Sequence, residues 1–187
     1  TLIYDDLEIK NVSGALRVED QIASLVGFQG NTLGGNVKID GDYNTQVIDD
    51  PKYNFAYDIN VIDFQQAFTQ SNVFRRLAPI AKYIDGNFNS QSEFSGKIGE
   101  NMLPDLNTLN AAGIFQTLNG VLLDFPVLDK IGNTLGIKEL KRYEIKDSWN
   151  KFSVKDGAVN VEPFKFTKEE MNFSVSGSHS IENEINY

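Results

Sequence analysis

Alternation of apolar and polar residues with a period of two dominates the chain, and it is cleanest near the C-terminus. Phe152 and Val154 alternate with Lys151, Ser153 and Lys155, Asp156-Gly157 supplies a two-residue turn, and Val159 and Val161 alternate with Asn160 and Glu162. Residues of like parity share one face of a strand, so this stretch predicts a β-hairpin with one apolar face. Met171, Phe173 and Val175 continue the pattern against Asn172, Ser174 and Ser176. A turn at Gly177-Ser178, followed by Ile181, Ile185 and Tyr187, completes a predicted four-strand meander over 149–187.

The first third of the chain carries the same period. Leu7 and Ile9, then Leu16 and Val18, read as two strands separated by a turn over Asn11 to Gly14, and residues 22–28 as an irregular strand broken at Gly27. Val37, Ile39 and Tyr43 share one face of a strand that Asp49-Asp50-Pro51 brings to an end. Tyr53, Phe55, Tyr57, Ile59 and Val61 hold the strictest alternation in the protein, and this aromatic face must pack on something.

The period changes at Asp63. Asp63 is placed to cap a short helix with Gln66 reaching back, and Phe64 and Phe68 share one face of that helix. Ser71 caps a second helix in which Val73, Phe74, Leu77, Ile80, Ala81 and Ile84 recur at helical spacing, with a kink at Pro79 and a stop at Asp85-Gly86. Residues 87–99 return to strand, with Ser90, Ser92 and Gly96 on the same parity as Phe88 and Phe94, so that a helix or a ligand can approach the sheet closely. Residues 103–109 are a short helix or a loop, and 111–123 one strand or a hairpin turning at Asn119-Gly120. Asp124 and Pro126 open a third helix carrying Val127, Leu128, Ile131 and Leu135, with Gly136 at its stop, after which Leu140, Tyr143 and Ile145 face inward. The elements sum to an α+β fold that is mostly β. The expectation is a curved antiparallel sheet of about eight to ten strands, with two or three helices packed on one face or end, in a single domain over 1–187.

Charge and composition narrow the function classes. A net charge of −9 over 187 residues argues against a nucleic-acid backbone and against simple adsorption to anionic headgroups. The absence of cysteine excludes disulfides, thiolate metal sites and a Cys nucleophile. No apolar run is long enough for a membrane-spanning helix. Thr1 at the start and Tyr187 inside a strand pattern predict a fragment of a longer chain.

Candidate chemistry is sparse. His179 is the only histidine, read as an exposed residue beside the Gly177-Ser178 turn, and no Gly-x-Ser-x-Gly elbow accompanies it. Asp40, Asp42, Asp49 and Asp50 lack the spacing of a calcium loop and read as a solvated strand face. Gly30, Gly34 and Gly35 precede no helix and so make no phosphate cradle. Arg75 and Arg76 read as the outer side of a helix before a headgroup clamp, and the stripe Phe74, Leu77, Ile80 and Ile84 as core before ligand site. No catalytic residue, metal or cofactor is expected. Thirteen Phe and seven Tyr nevertheless suit a sheet whose apolar face is incompletely covered, and such a face is a lipid surface.

Several segments together resemble the C-terminal region of the AsmA family, the envelope proteins related to the TamB and YhdP type. They are Phe125 to Ile137 (FPVLDKIGNTLGI), Phe152 to Phe164 (FSVKDGAVNVEPF), the closing Gly177 to Tyr187 with Asn186 where the family ending has Asp, Gly34 to Gly41, and the Pro51 to Val61 strand leading into Asp63-Phe64. The resemblance implies a non-enzymatic periplasmic protein of Gram-negative bacteria, anchored to the inner membrane through a segment outside this stretch. It implies phospholipid transport between membranes and outer-membrane assembly through a hydrophobic β-groove. The partners it implies are a phospholipid or other acyl-chain lipid and the rest of the same chain continuing the sheet. Candidate lipid-contacting residues are Tyr53, Phe55, Tyr57, Ile59, Phe74, Leu77, Ile80, Phe152, Val154, Phe173 and Val175. The alternative is a structural sheet-pairing module of the envelope that binds no lipid, which predicts a filled core without a lined cavity.

Overall fold

Residues 1–4, 6–99, 103–135, 141–145, 148–168 and 171–181 are described in the computed structural model, with backbone alone for 135, 164–168, 171–173 and 175. The strands are β1 (Leu2–Tyr4), β2 (Leu7–Glu19), β3 (Ile22–Thr32), β4 (Gly35–Asn44), β5 (Lys52–Asp63), β6 (Ile84–Gly96), β7 (Asn110–Leu123), β8 (Arg142–Ile145), β9 (Ser148–Lys155), β10 (Ala158–Lys168) and β11 (Met171–Ser180). All belong to one open antiparallel sheet, ordered β1-β2-β3-β4-β5-β6-β7-β9-β10-β11. β8 pairs the C-terminal end of β7 while β9 pairs its N-terminal part, so these two short strands share one edge of β7. The mostly-β fold with helices therefore stands, with eleven strands among the described residues.

Turn chemistry sets the register. Asp20-Gln21, Leu33-Gly34 and Asp156-Gly157 all take positive φ, the twist that matches a two-residue hairpin turn to its flanking strands. Other turn-forming residues do something different. The turn expected over Asn11 to Gly14 is absent: β2 runs through it, with Asn11 (φ 52°) and Gly14 (φ 139°) making bulges where the β2–β3 register shifts. Gly27 and Asn119 likewise bulge β3 and β7 without ending them. At Val61 (φ 57°) β5 bulges too, and the alternation changes parity: Val61 turns outward and Ile62 is buried in its place.

The helical insert is shorter than the periodicity suggests. Helix α1 (Phe64–Gln70) is capped at the expected residue, the Asp63 carboxylate accepting from the Gln66 N–H at 2.7 Å, but the Asp63 N–H donates to the Leu33 carbonyl at 3.0 Å in place of the returning Gln66 side chain; α2 (Asn72–Leu77) starts with Ser71 Oγ accepting from the Phe74 N–H at 3.1 Å. Pro79 cannot donate and disfavours helical backbone at Ala78, so α2 ends at Leu77 and a 3-10 turn covers Pro79–Tyr83. Ile84 and Asp85-Gly86, expected to close the helix, belong to β6. In α3 (Pro126–Leu135) the first helical bond runs from the Asp129 N–H to the Phe125 carbonyl, while Asp124 donates its N–H to Lys141. Gly136 and Leu140 lie outside the described residues.

The expected fourth strand of the C-terminal meander is not formed within the described residues. Gly177 and Ser178 pair with Val161 and Asn160, and β11 runs straight on to Ser180 because β10 presents unpaired backbone groups opposite them. Ile185 and Tyr187 fall outside the described residues.

Candidate functional site

Cross-strand partners point to the same side of a sheet, so the ladder itself defines the apolar face. One row runs Val18, Ala23, Tyr43, Tyr53, Gly96. The next runs Leu16, Leu25, Gly41, Phe55, Phe94, Ala111, Val154, Val159, His179. A third runs Phe28, Ile39, Tyr57, Ser92, Gly113, Phe152, Val161. A fourth runs Gly30, Val37, Ile59, Ser90, Phe115. Nine of the eleven strands are thereby bound into one sheet face, with β1 at its edge and β8 beside the C-terminal end of β7.

Cover over this face is uneven. At one end α1, α2, the 3-10 turn and α3 sit on Ile62, Ile84, Phe88 and Leu122, burying Phe64, Ala67, Ala81 and Leu128. Phe88 is the hub: its ring lies 4.7 Å from Phe64, 5.3 Å from Phe74 and 4.9 Å from Phe115. Toward β9–β11, Val73 and Leu77 of α2 and the loop residues Leu106 and Leu109 close over Tyr53, Val154 and Val159. A small residue makes the approach of the loop possible, since a Cβ on Gly96 would crowd Thr108, and Ser90 and Ser92 of the same strand are buried; over Gly113 the space is taken by the Phe152 ring of the adjacent strand. Ile9, at the start of β2, covers Phe28 and Val37. Beyond these the face is bare: Leu16 is 68% and Val18 72% exposed.

The candidate lipid-contacting residues divide accordingly. Tyr53, Phe55, Phe94, Phe152, Val154, Leu77 and Val73 form one cluster, and Phe74, Ile80 and Ile59 pack with the Phe88 cluster. Tyr53 and Val154 are fully buried, whereas Phe55, Tyr57, Ile59, Phe74, Leu77, Ile80 and Phe152 keep partial exposure. Phe173 and Val175 are in β11, and their side chains lie outside the described residues. Burial pushes the Tyr53 hydroxyl up to about 12, with the nearby Asp105 carboxylate and Tyr4 adding to the shift. Its Oη is buried with no hydrogen-bond partner. Burial raises Tyr57 as well, partly offset by its hydrogen bonds to serine, with Tyr57 Oη 3.1 Å from Ser90 Oγ. The cavity outlined by the described residues, about 230 Å³, is a shallow depression on the opposite face, between Ile114, Trp149, Lys151, Glu162 and Pro163.

The polar candidates have structural partners. Arg75 donates to the Phe68 and Thr69 carbonyls at the end of α1, and Arg76 to the Ile181 carbonyl beyond β11. Asp40 accepts from the Gly27 N–H, holding the β3 bulge, while Asp50 pairs with Lys52 at 2.8 Å and Lys97 at 2.6 Å, which holds its carboxyl below the usual range. Among the described residues no group of His, Asp or Glu could hold a metal ion. His179 is not beside a turn: it stands within β11, opposite Val159, partly buried against the α2 backbone at Arg76 and Leu77. Burial lowers its pKa, and those backbone hydrogen bonds counter part of the shift. The periodicity missed the exposed pair Val47 and Ile48 in the β4–β5 loop, whose one signal is two adjacent aliphatics inside a polar stretch. No helix among the described residues is long and apolar enough to cross a membrane.

No family model, curated protein or solved structure matches this chain.

Proposed function

We propose that this chain is a non-enzymatic module of AsmA type in the Gram-negative periplasm. It takes part in phospholipid transport between membranes and in outer-membrane assembly, as the plugged end of a hydrophobic β-groove whose inner-membrane anchor lies elsewhere in the polypeptide. The observation that carries this reading is the uneven cover of one continuous apolar face: filled by helices from β5 to β11, bare at Leu16 and Val18. An acyl chain asks for aliphatic surface and no polar partner, which this rim offers. Val12 to Glu19 of β2 pairs only with β3 among the described residues, leaving an edge on which a further strand of the same polypeptide adds and prolongs the rim into a groove.

Site-specific photocrosslinking tests it. A benzophenone side chain at Leu16 or Val18 of the full-length protein is expected to yield phospholipid adducts, and one at Phe74, where α2 packs on the Phe88 ring, none. Adducts at neither Leu16 nor Val18, or equal yields at all three positions, refute the reading. The filled face between β5 and β11 favours a second reading, a sheet-pairing module that binds no lipid. That reading predicts protein-only adducts at Leu16 and no phospholipid co-purifying by mass spectrometry.

A further inference from the structure

Val47 and Ile48 are 62% and 83% exposed, and no part of the core depends on them. The loop that carries them is nonetheless firmly held. The Thr45 N–H and hydroxyl both donate to the Gln21 carbonyl at 3.0 and 2.9 Å, and Gln46 Nε2 donates to the Asp20 carbonyl at 3.0 Å. Asp50 closes the loop from the other side, donating its N–H to the Val47 carbonyl at 3.0 Å while its carboxylate pairs with Lys52 and Lys97. Because the loop is tied to the β2–β3 turn, which follows Val18 closely, the aliphatic tip and the bare rim occupy the same end of the sheet.

We propose that this end of the sheet is a lipid-surface anchor, with Val47 and Ile48 inserting among the acyl chains of a zwitterionic bilayer. The proposal rests on the lipid-carrying reading above and adds the place where the bilayer meets the rim. Hydrocarbon offers no hydrogen bonds, so an inserted loop must satisfy its own backbone, as the Asp50 to Val47 bond does across the tip. A protruding pair of branched aliphatics, with neither the aromatic nor the arginine anchors typical of protein hot spots, suits a fluid apolar phase better than a shaped protein pocket. The surrounding charge selects the headgroup. Glu19, Asp20, Asp42 and Asp49 outnumber Arg17, and the two nearby lysines are engaged with Asp50, so an anionic surface is repelled.

Flotation of the 187-residue chain with phosphatidylcholine–phosphatidylethanolamine vesicles tests this. The chain is expected to float, Val47→Asp with Ile48→Asp to reduce the bound fraction at least about tenfold, and the milder Val47→Ser with Ile48→Ser to reduce it less. Melting temperatures should stay within about 2 °C of the parent, because these side chains are exposed in the folded state as in the unfolded one. Adding phosphatidylglycerol should weaken binding, and salt should partly restore it. A parent chain that does not float, variants that float equally, or binding strengthened by phosphatidylglycerol each overturn the anchor. Loss of flotation with lipid adducts retained at Leu16 refutes only the anchor; flotation without those adducts refutes only the carrying role.

Discussion

Replacing Phe88 by Ala is the sharpest test of the way helices and sheet are joined. Phe88 is 1% exposed and touches three other rings: Phe64 from α1, Phe74 from α2 and Phe115 from the neighbouring strand. Removing a buried phenyl ring costs about 3–5 kcal/mol through lost transfer energy and the cavity left behind. The upper half of that range is expected here, because three aromatic contacts disappear together and each adds roughly 0.5–1.5 kcal/mol beyond its area. For a chain of this size the loss corresponds to a fall in melting temperature of roughly 8–20 °C. Urea denaturation followed by tyrosine fluorescence and far-UV circular dichroism measures it, with an unchanged m-value showing that the same surface is exposed on unfolding. Hydrogen exchange should rise first in α1 and α2, since both rest on this ring. A loss below about 1 kcal/mol would mean that the helical layer is not seated on β6 through Phe88, and the plugged-face reading would fall with it.

Three other perturbations bear on single groups. Tyr53→Phe removes a buried hydroxyl without a partner, so stability at neutral pH should hold or rise by up to about 1 kcal/mol. Alkaline sensitivity should fall as well: the unfolded phenol ionises near 10 while the folded one resists to about 12, so the parent loses stability as pH rises above 10 and the variant loses less, as pH-dependent melting would show. His179 has a folded pKa below 6.5, so its contribution is complete above that value and declines as pH falls below it, when the unfolded chain takes up a proton that the folded chain resists. His179→Gln should flatten the acid limb of the melting-temperature profile, and an unchanged limb would refute the assignment. Asp63→Ala removes the α1 cap and should cost about 1 kcal/mol in urea unfolding, with Asp63→Asn recovering most of it.

What was legible in the sequence is what depends on side-chain period. Tyr53 to Ile59, the Phe152 to Val161 hairpin and the caps Asp63 and Ser71 appear in the structure as the pattern implies. The errors cluster at residues that can serve either a turn or a bulge. Asn11, Gly14 and Gly27 carry the same local preference in both settings, and only the neighbouring strand decides between them, as it does for Gly177, which pairs with Val161; at Asn119 the single strand is the outcome of the two readings that the pattern leaves open. The helix expected to reach Ile84 failed for a related reason: Ile80, Ala81 and Ile84 are all inward-facing, but after Pro79 the backbone delivers them through a 3-10 turn and the start of β6. His179 was misjudged because its exposure depends on α2, more than a hundred residues away in the chain. The degree of cover over each candidate residue was invisible for the same reason, being set by which element crosses the sheet above it.

The placement of small and aliphatic residues under that cover and beyond it connects the fold to the proposed function. Under the helices and the 103–109 loop the sheet offers Ser90, Ser92, Gly96 and Ala111, residues short enough for another layer to approach closely. At the other end of the same face stand Leu16, Val18 and Leu25, long or branched side chains with no helix above them among the described residues. A sheet that kept its own helices over this end would gain by having small residues there; a sheet covered by something pliable gains by keeping aliphatic bulk. Burial of such surface stabilises by about 25 cal/mol per Å², so the bare rim is a standing drive toward an apolar occupant. In the proposed reading an acyl chain would adapt to the uneven relief of leucine and valine, and a neighbouring strand would meet the edge of β2 left unpaired among the described residues. The two demands are compatible, because the strand satisfies the backbone in the plane of the sheet while the acyl chain lies on its face.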